Sequence, residues 1–329
     1  MAPVRGDLPA HVSLEALALG GVSVDDIERF EAAPPAVPRQ SPVIAPAQGP
    51  AGVEATLRYN LERLAVTGYA DFDGSRFDEQ IRSVGWDVAV VYGLTTAFGL
   101  AAWEWGNAPF RFESEGWFGQ DTKYGGMDKV GHAYSGYMLT EFFTQRIAHE
   151  SGDPRGAAIT GALLGMGVQT YVELFDGFSG GHGFSYEDLV MDGVGVGFAI
   201  LRNTVPGLAE KLDFRMEYLP SGHADGFAPV SDYSGQKYLL ALKLSGFEEF
   251  EETPLRFLEL QVGYFARGFS DEERNAGEDR RREPYVAVGL NLNELLDVDP
   301  VRNSTPGMLA RRTLDYVQVP YTYVPTSSD

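Results

Sequence analysis

The sequence predicts an α+β protein, in which a four-helix module is followed by a small antiparallel β-sheet of about four strands. Two observations lead to this class. Between residues 83 and 203, four long segments rich in apolar and small residues have the length and spacing of helices. After Gly207, polar and apolar residues alternate, which is typical of strands in a sheet that buries one face.

The N-terminal part of the chain has a different composition. Residues 1–52 hold 8 of the 19 prolines, which indicates a mobile and partly extended segment. Within it, a short helix is predicted over residues 24–32, with Ser23 as its N-cap. We therefore divide the chain into a Pro-rich mobile N-terminal segment (1–52), a helical module with a polar cluster (53–207) and an antiparallel β unit (208–329).

The four helices of the module are predicted at residues 83–105, 126–150, 154–176 and 186–203, the last with Ser185 as its N-cap. The first is the most apolar segment of the chain, and three tryptophans lie near its ends. About 20 apolar residues can span a bilayer, and interfacial tryptophan is typical of such spans. A core helix is the alternative that we favour, because Asp87 and the pair Thr95 and Thr96 weaken a membrane span.

Four strands are predicted in the β unit, at residues 236–246, 256–268, 284–293 and 313–324. In the second strand, Leu258, Leu260 and Val262 alternate with Glu259 and Gln261. Alternation of this kind is typical of a sheet with one buried and one wet face. We therefore expect the aliphatic side chains to be buried and the polar side chains to face solvent.

Composition excludes several functional classes. The 47 acidic and 26 basic residues give a formal net charge of −21, which argues against nucleic-acid binding because phosphates are bound by clustered Lys and Arg. The 329 residues contain no cysteine, which excludes disulfides, thiolate metal sites and a cysteine-linked lipid within them. Near the N-terminus, charged residues such as Arg5 and Asp7 interrupt the apolar ones, so no signal peptide is expected.

A group of ionisable residues lies along three neighbouring predicted helices. Asp128 and His132 are four residues apart and share one helical face, with Lys129 beside Asp128. Glu173 and Asp188 lie on the two following helices, where the pairs Gln169–Glu173 and Asp188–Asp192 repeat the four-residue spacing. If these helices pack together, the side chains are expected to converge and bind one another, because an unpaired buried charge is costly.

Three interpretations of this group remain open, namely a structural polar network, a metal or anion site, and an ordinary solvated helix face. As a metal site, Asp128, His132, Glu173 and Asp188 would offer oxygen and nitrogen ligands to a divalent metal ion. As a catalytic site, His132 would move protons beside Lys129. The single histidine favours a harder cation than zinc, or no metal.

Small residues follow the same spacing on these helices. Gly161 and Gly165 lie four residues apart, as do Gly193 and Gly197, and such pairs let helices approach closely. In the glycine-rich loop 177–184, an exposed loop histidine is the preferred interpretation of His182, with membership of the polar group as the alternative. The sequence contains no P-loop, dinucleotide-binding or nucleophile-elbow motif.

Three segments of the chain resemble a known family. They are GGMDKVGHAYSGYMLT (125–140), YVELFDGFSGGHGFSYEDLVMDGVGVGFA (171–199) and DYSGQKYLLALKL (232–244). Together they are similar to the YfiM-like bacterial family of predicted periplasmic lipoproteins of unknown function. The first two segments also resemble, more distantly, the VanZ-like membrane family, through Asp128-Lys129-x-x-His132. The resemblance implies a cell-envelope location, periplasmic or outer-membrane-associated, and no established activity.

Two hypotheses about function follow. The first is a non-enzymatic envelope protein with a structural or binding role, whose helical module lies on or in a membrane and whose sheet packs on it or binds an envelope protein partner. The alternative is a metal-dependent hydrolase or lipid head-group enzyme. In that case Asp128, Glu173 and Asp188 would hold the metal ion, and His132 would move protons. Nucleic acid is not an expected partner of either.

Overall fold

A computed structural model of the chain describes residues 74–151, 156–223 and 227–326. The Pro-rich segment (1–52), the helix predicted at 24–32 and the start of the helical module lie outside the described residues. The fold class is confirmed, since the described chain combines helices with one antiparallel sheet.

Five helices form the first half of the described chain. They are α1 (Gly74–Ser83), α2 (Gly85–Ala102), α3 (Met127–Ser151), α4 (Ala157–Asp176) and α5 (Tyr186–Thr204). The last four correspond to the four predicted helices, with ends that differ by at most three residues. Ser185 caps α5 as predicted, because its hydroxyl accepts a hydrogen bond from the backbone N–H of Asp188.

Glycines allow α3 to approach α4 and α5 closely. A Cβ on Gly161 or Gly165 would stand within 2.7 Å of a threonine hydroxyl of α3, so this predicted pair does face the neighbouring helix. On α5, the glycine that faces α3 is Gly195, whereas Gly193 and Gly197 face open space. The expectation that Gly193 and Gly197 bring helices together is therefore wrong, because α5 turns its opposite side toward α3.

The second half of the described chain forms an antiparallel sheet with the order β1-β2-β3-β4-β5. The strands are β1 (Leu212–Tyr218), β2 (Gln236–Lys243), β3 (Leu258–Arg267), β4 (Arg281–Leu290) and β5 (Tyr323–Pro325). Short helices accompany them, namely α6 (Leu208–Lys211), α7 (Glu248–Glu251), α8 (Asp271–Asn275), α9 (Leu292–Leu295), α10 (Asp299–Arg302) and α11 (Thr305–Leu314).

Two predictions about individual strands are wrong. The prediction omits β1, along which the charged residues Asp213, Arg215 and Glu217 alternate and are nevertheless buried. The fourth predicted strand, 313–324, is mostly not a strand, since its first residues end α11 and only β5 pairs with β4. Tyr321, which has a φ of 65°, interrupts the extended backbone just before β5.

Over much of the sheet, the aliphatic side chains are exposed and the polar side chains are buried, which is the reverse of the expectation. Glu259 and Gln261 are fully buried, whereas Leu260 and Val262, on the other side of β3, are 46% and 60% exposed. We call the side of the sheet that carries Leu260 and Val262 the aliphatic face. Its exposed members are Leu240, Leu260, Val262, Val286, Val288, Leu290 and Val324. The prediction of a buried aliphatic face and a wet polar face is therefore wrong here.

The buried polar side chains of the sheet bind one another. Arg215 lies 2.9 Å from a carboxylate oxygen of Glu259 and 2.6 Å from one of Asp213. The C-terminal segment pairs with both edges of the sheet, because Val317 forms a bridge with Met216 of β1 while β5 pairs with β4. Partners within the protein thus replace water for much of the polar face, although one side-chain oxygen each of Glu217, Glu259 and Gln261 has no hydrogen-bond partner among the described residues.

One hydrophobic core joins the sheet to the helices. The end of the aliphatic face nearest the helices packs against α3, while the rest of that face is exposed. The buried members of this core are Met127, Ala133, Tyr137, Ala199, Phe214, Tyr238, Ala266 and Phe269. The polar residues near the start of α3 are consequently held close to both the helices and the beginning of β2.

Helix α2 is poorly buried. Gly99 is its only buried residue, and Trp86, Leu94 and Leu100 are 80%, 57% and 62% exposed. This burial does not fit the favoured interpretation of the segment as a core helix. By length and composition alone, α2 and α4 are both long and apolar enough to cross a membrane. In the 18-residue stretch compared for each helix, 6% is buried in α2 and 50% in α4.

Two polar residues of α2, Asp87 and Thr96, bind the neighbouring helices. Asp87 forms an ion pair with Arg146 of α3 at 2.8 Å, and the hydroxyl of Thr96 forms a hydrogen bond of 2.7 Å with the hydroxyl of Tyr171 on α4. The exposed side of α2 therefore carries apolar and small side chains. Of the polar residues that weaken a membrane span in the sequence, Asp87 and Thr96 have partners in the protein.

Candidate functional site

The predicted polar residues converge where α3, α4 and α5 meet. Asp128, Lys129 and His132 lie in the first two turns of α3, Glu173 in the last turn of α4 and Asp188 in the first turn of α5. All are buried except His132, whose side chain is 19% exposed. The interpretation of this group as an ordinary solvated helix face is therefore wrong.

Lys129 binds three carboxylates. Its Nζ lies 2.9 Å from Oε2 of Glu115, 2.8 Å from Oδ2 of Asp128 and 2.5 Å from Oδ1 of Asp188, and its side chain is 2% exposed. Burial alone would lower the pKa of Lys129, but the charges of Asp128 and Asp188 outweigh it and raise the pKa above its usual value. Lys129 is thus a buried ammonium group that neutralises part of the acidic cluster.

His132 lies between two pairs of carboxylates. Its Nδ1 is 3.1 Å from Oδ1 of Asp192 and 3.6 Å from Oε1 of Glu173, while its Nε2 is 3.9 Å from both Asp128 and Asp188. Burial alone would lower the pKa of His132. The hydrogen bond to Asp192 and the charge of Asp128 outweigh this effect, so the pKa lies well above its usual value.

Neutral donors from α4 and the following loop hold the deeper carboxylates. The side-chain amide of Gln169 donates to Oδ1 of Asp192 and, at 2.7 Å, to the hydroxyl of Ser135. The backbone N–H of Ser185 donates to Oε2 of Glu173 at 3.2 Å. These bonds fix the orientation of both carboxylates beside the imidazole.

Two aromatic donors reach the cluster from outside the three helices. Nε1 of Trp105, just beyond α2, donates to Oδ1 of Asp176 at 2.6 Å. The hydroxyl of Tyr233, which lies in a short 3₁₀ turn before β2, donates to Oδ1 of Asp128 at 2.7 Å. The sheet therefore contributes directly to the site, through the same DYSGQ segment that takes part in the family resemblance.

Acidic groups outnumber basic groups in this cluster. The carboxylates are Glu115, Asp128, Glu173, Asp176, Asp188 and Asp192, and the basic groups among the contacts given above are Lys129 and His132. Burial and the neighbouring Asp128 raise the pKa of Glu115 to about 7. Despite its own burial, Asp128 has a pKa well below the usual range because His132 and Lys129 favour its charged form.

The cluster contains two overlapping sets of potential metal ligands. One set is Asp128, His132 and Asp188, and the other is His132, Glu173 and Asp192; in each, one ligand atom per residue lies within 4.8 Å of the others. The predicted metal residues are thus all present but belong to two sets. Their metal-binding and catalytic roles, including that of Lys129, stay predictions.

Several residues of the site were not among the site residues predicted from the sequence. Asp192 follows Asp188 by four residues, and this spacing was the available signal for it. Glu115 and Tyr233 come from a loop and a turn, where no local pattern indicates a distant partner. His182 is half-buried and belongs to neither ligand set among the described residues.

Comparison with known proteins adds a family for part of the chain. Residues 114–204, which contain α3, α4, α5 and most of the cluster, match the model of a family described as predicted periplasmic lipoprotein (DUF2279). No curated protein and no solved structure matches the chain. The segment that carries the polar cluster is therefore similar to a family of cell-envelope proteins of unknown function.

Proposed function

We propose that this protein is a membrane-associated component of the cell envelope with a structural or binding role, and that α2 contacts lipid hydrocarbon. The observation that carries the proposal is the exposure of α2. This helix of 18 residues is long and apolar enough to cross a membrane, and only 6% of it is buried in the protein. An exposed apolar helix of this length is unfavourable in water and favourable in a bilayer. The family match of residues 114–204 supports an envelope location.

The free energy of membrane contact comes from specific side chains. Leu94 and Leu100 are 57% and 62% exposed, so removing the exposed part of each from water would contribute about 1–2 kcal/mol. Trp86 lies at the start of α2, where an interfacial tryptophan is typical of membrane helices. Asp87 is paired with Arg146, so its charge adds less to the cost of insertion than an unpaired carboxylate would.

The aliphatic face of the sheet supports the same proposal. In a water-soluble sheet the aliphatic side is usually buried and the polar side exposed. Here Val262 and Val286 are exposed while Glu259 and Gln261 are buried, which is the arrangement that suits an apolar surrounding. We therefore include the aliphatic face in the proposed lipid-contacting surface.

Flotation with vesicles tests membrane association. Full-length protein, reconstituted by detergent removal into phosphatidylethanolamine and phosphatidylglycerol vesicles, is expected to float with the lipid in a density gradient. Leu94→Asp should lower the floated fraction, because a charge near the centre of a membrane helix costs about 2.5–3.5 kcal/mol. Asn303→Asp adds the same charge at an exposed polar position and should float like wild type. A monomer that stays soluble without detergent and does not float would contradict the proposal.

Spin labelling tests which surfaces touch lipid. Because the chain contains no cysteine, a single introduced cysteine is the only thiol that a nitroxide reagent can label. In vesicles, labels at Leu94→Cys and Val262→Cys are expected to be relaxed by oxygen more than by a water-soluble nickel complex. A label at Asn303→Cys should show the opposite preference. If the Val262→Cys label prefers the nickel complex, the aliphatic face does not contact lipid, even if α2 does.

A further inference from the structure

The two ligand sets of the cluster differ in whether a cation already binds them. In the set that contains Asp128 and Asp188, Nζ of Lys129 lies within 2.8 Å of both carboxylates. In the set that contains Glu173 and Asp192, the only basic partner found among the described residues is His132, which belongs to the set itself. His132 is thus the sole positive partner of this set within the described residues, and burial raises the pKa of Glu173 to about 9.

One oxygen of this ligand set has no hydrogen-bond partner among the described residues. Asp192 is fully buried, and within the described part of the chain its Oδ2 has no hydrogen-bond partner. A buried carboxylate oxygen without a donor is costly, and its cost is removed by a hydrogen bond or a bound cation. Its other oxygen is bound by Gln169 and lies 3.1 Å from Nδ1 of His132, so the carboxylate is held in place.

We propose that a divalent first-row metal ion binds between Nδ1 of His132 and the carboxylates of Glu173 and Asp192, and that it displaces to solvent the proton of the hydrogen bond between Nδ1 and Asp192. One imidazole and two carboxylates are a ligand set suited to Mn²⁺ or Zn²⁺. Ligand atoms about 2.1 Å from such an ion stand roughly 3.0–3.4 Å apart. The observed distances of Nδ1 to Asp192 and Glu173, 3.1 and 3.6 Å, need little adjustment to reach that spacing.

The surrounding groups fit the requirements of a metal site. Nε2 of His132 faces Asp128 and Asp188 at 3.9 Å, which is longer than a hydrogen bond but places two acceptors on the side of the ring opposite the proposed metal ion. The backbone N–H of Ser185 donates a hydrogen bond to Oε2 of Glu173 and so fixes the orientation of this carboxylate. Lys129 neutralises part of the charge of Asp128 and Asp188, so that the metal ion need not compensate the whole cluster.

Binding of Mn²⁺ to the detergent-solubilised full chain tests the proposal, because free Mn²⁺ gives a six-line electron paramagnetic resonance signal that is lost on binding. After removal of metal by a chelator, we expect about one Mn²⁺ per chain, displaced by Zn²⁺. Glu173→Gln and Asp192→Asn should each weaken binding by roughly tenfold or more. Asp176→Asn keeps the acceptor for Trp105 and lies outside both ligand sets, so it should change affinity by less than about threefold.

The outcomes separate this site from general acidity and from the membrane proposal. Wild-type protein that binds neither Mn²⁺ nor Zn²⁺ overturns the metal site, as does loss of affinity in Asp176→Asn as large as in Asp192→Asn. If both ligand variants fail to fold, pulsed resonance of the wild type decides, since bound Mn²⁺ must show coupling to one imidazole nitrogen. Vesicle flotation is scored independently, so its failure does not affect this result.

Discussion

Replacing Lys129 by Met is expected to lower the free energy of unfolding by roughly 3–5 kcal/mol, the range for removing one partner of a buried ion pair. Methionine keeps much of the side-chain length but supplies no charge, so Glu115, Asp128 and Asp188 would lose the ammonium group that they share. Because Lys129 is 2% exposed, water cannot replace it. A urea melt monitored by circular dichroism, in the same detergent as wild type, measures the change.

The matched control for this prediction is Lys123→Met. Lys123 is exposed and lies only six residues before Lys129. Its amino group donates one exposed hydrogen bond, to the carbonyl oxygen of Gly181, so its replacement should lower stability by no more than about 1 kcal/mol. A Lys129→Met melt that coincides with that of the control would reject the buried ion network. A loss of stability in both variants to the same extent would assign the effect to net charge rather than to the pairing of Lys129.

Gly195→Ala is the second change with a large expected effect. A Cβ at this position would overlap the carbonyl oxygen of Ala133 and stand 2.9 Å from the backbone nitrogen of Tyr137. Backbone atoms of a helix cannot rotate away as a side chain can, so α3 and α5 would have to separate. We expect a loss of about 1–3 kcal/mol, the usual cost of overpacking, accompanied by displacement of Asp192 relative to His132.

Gly193→Ala, on the same helix, is expected to raise stability rather than lower it. No atom lies within 4 Å of the added Cβ, so the substitution should stabilise α5 by roughly 0.5–1 kcal/mol through its helix propensity. The two positions are two residues apart and lie on nearly opposite sides of α5, and the comparison therefore isolates the contact with α3. Equal stability of the two variants would mean that α5 does not pack on α3 through Gly195.

These predictions connect stability to the proposed site. Lys129→Met acts on the pair Asp128 and Asp188, whereas Gly195→Ala acts on the distance between the helices that carry His132 and Asp192. If a metal ion binds as proposed, adding Mn²⁺ should raise the stability of wild type by mass action. A bound metal is also the precondition for the alternative that the protein is a metal-dependent hydrolase or lipid head-group enzyme.

The sequence by itself determined the helices and the meeting of their polar residues. Apolar segments of helical length, the Ser185 cap and four-residue spacings are local properties, and a helix converts such spacings into a shared face. Charged groups on apolar helices have few favourable places other than beside one another. For this reason Asp128, Lys129, His132, Glu173 and Asp188 were predicted to converge, and they do.

Only the tertiary structure decided which face of the sheet is buried and which groups complete the cluster. Alternation along β3 distinguishes two faces but does not say which one meets the protein, because Arg215 and the C-terminal segment that partner Glu259 and Gln261 are distant in sequence. Glu115 and Tyr233 likewise reach Lys129 and Asp128 from a loop and a turn. A pairing across such separations depends on how the chain closes in space, and no local periodicity encodes it.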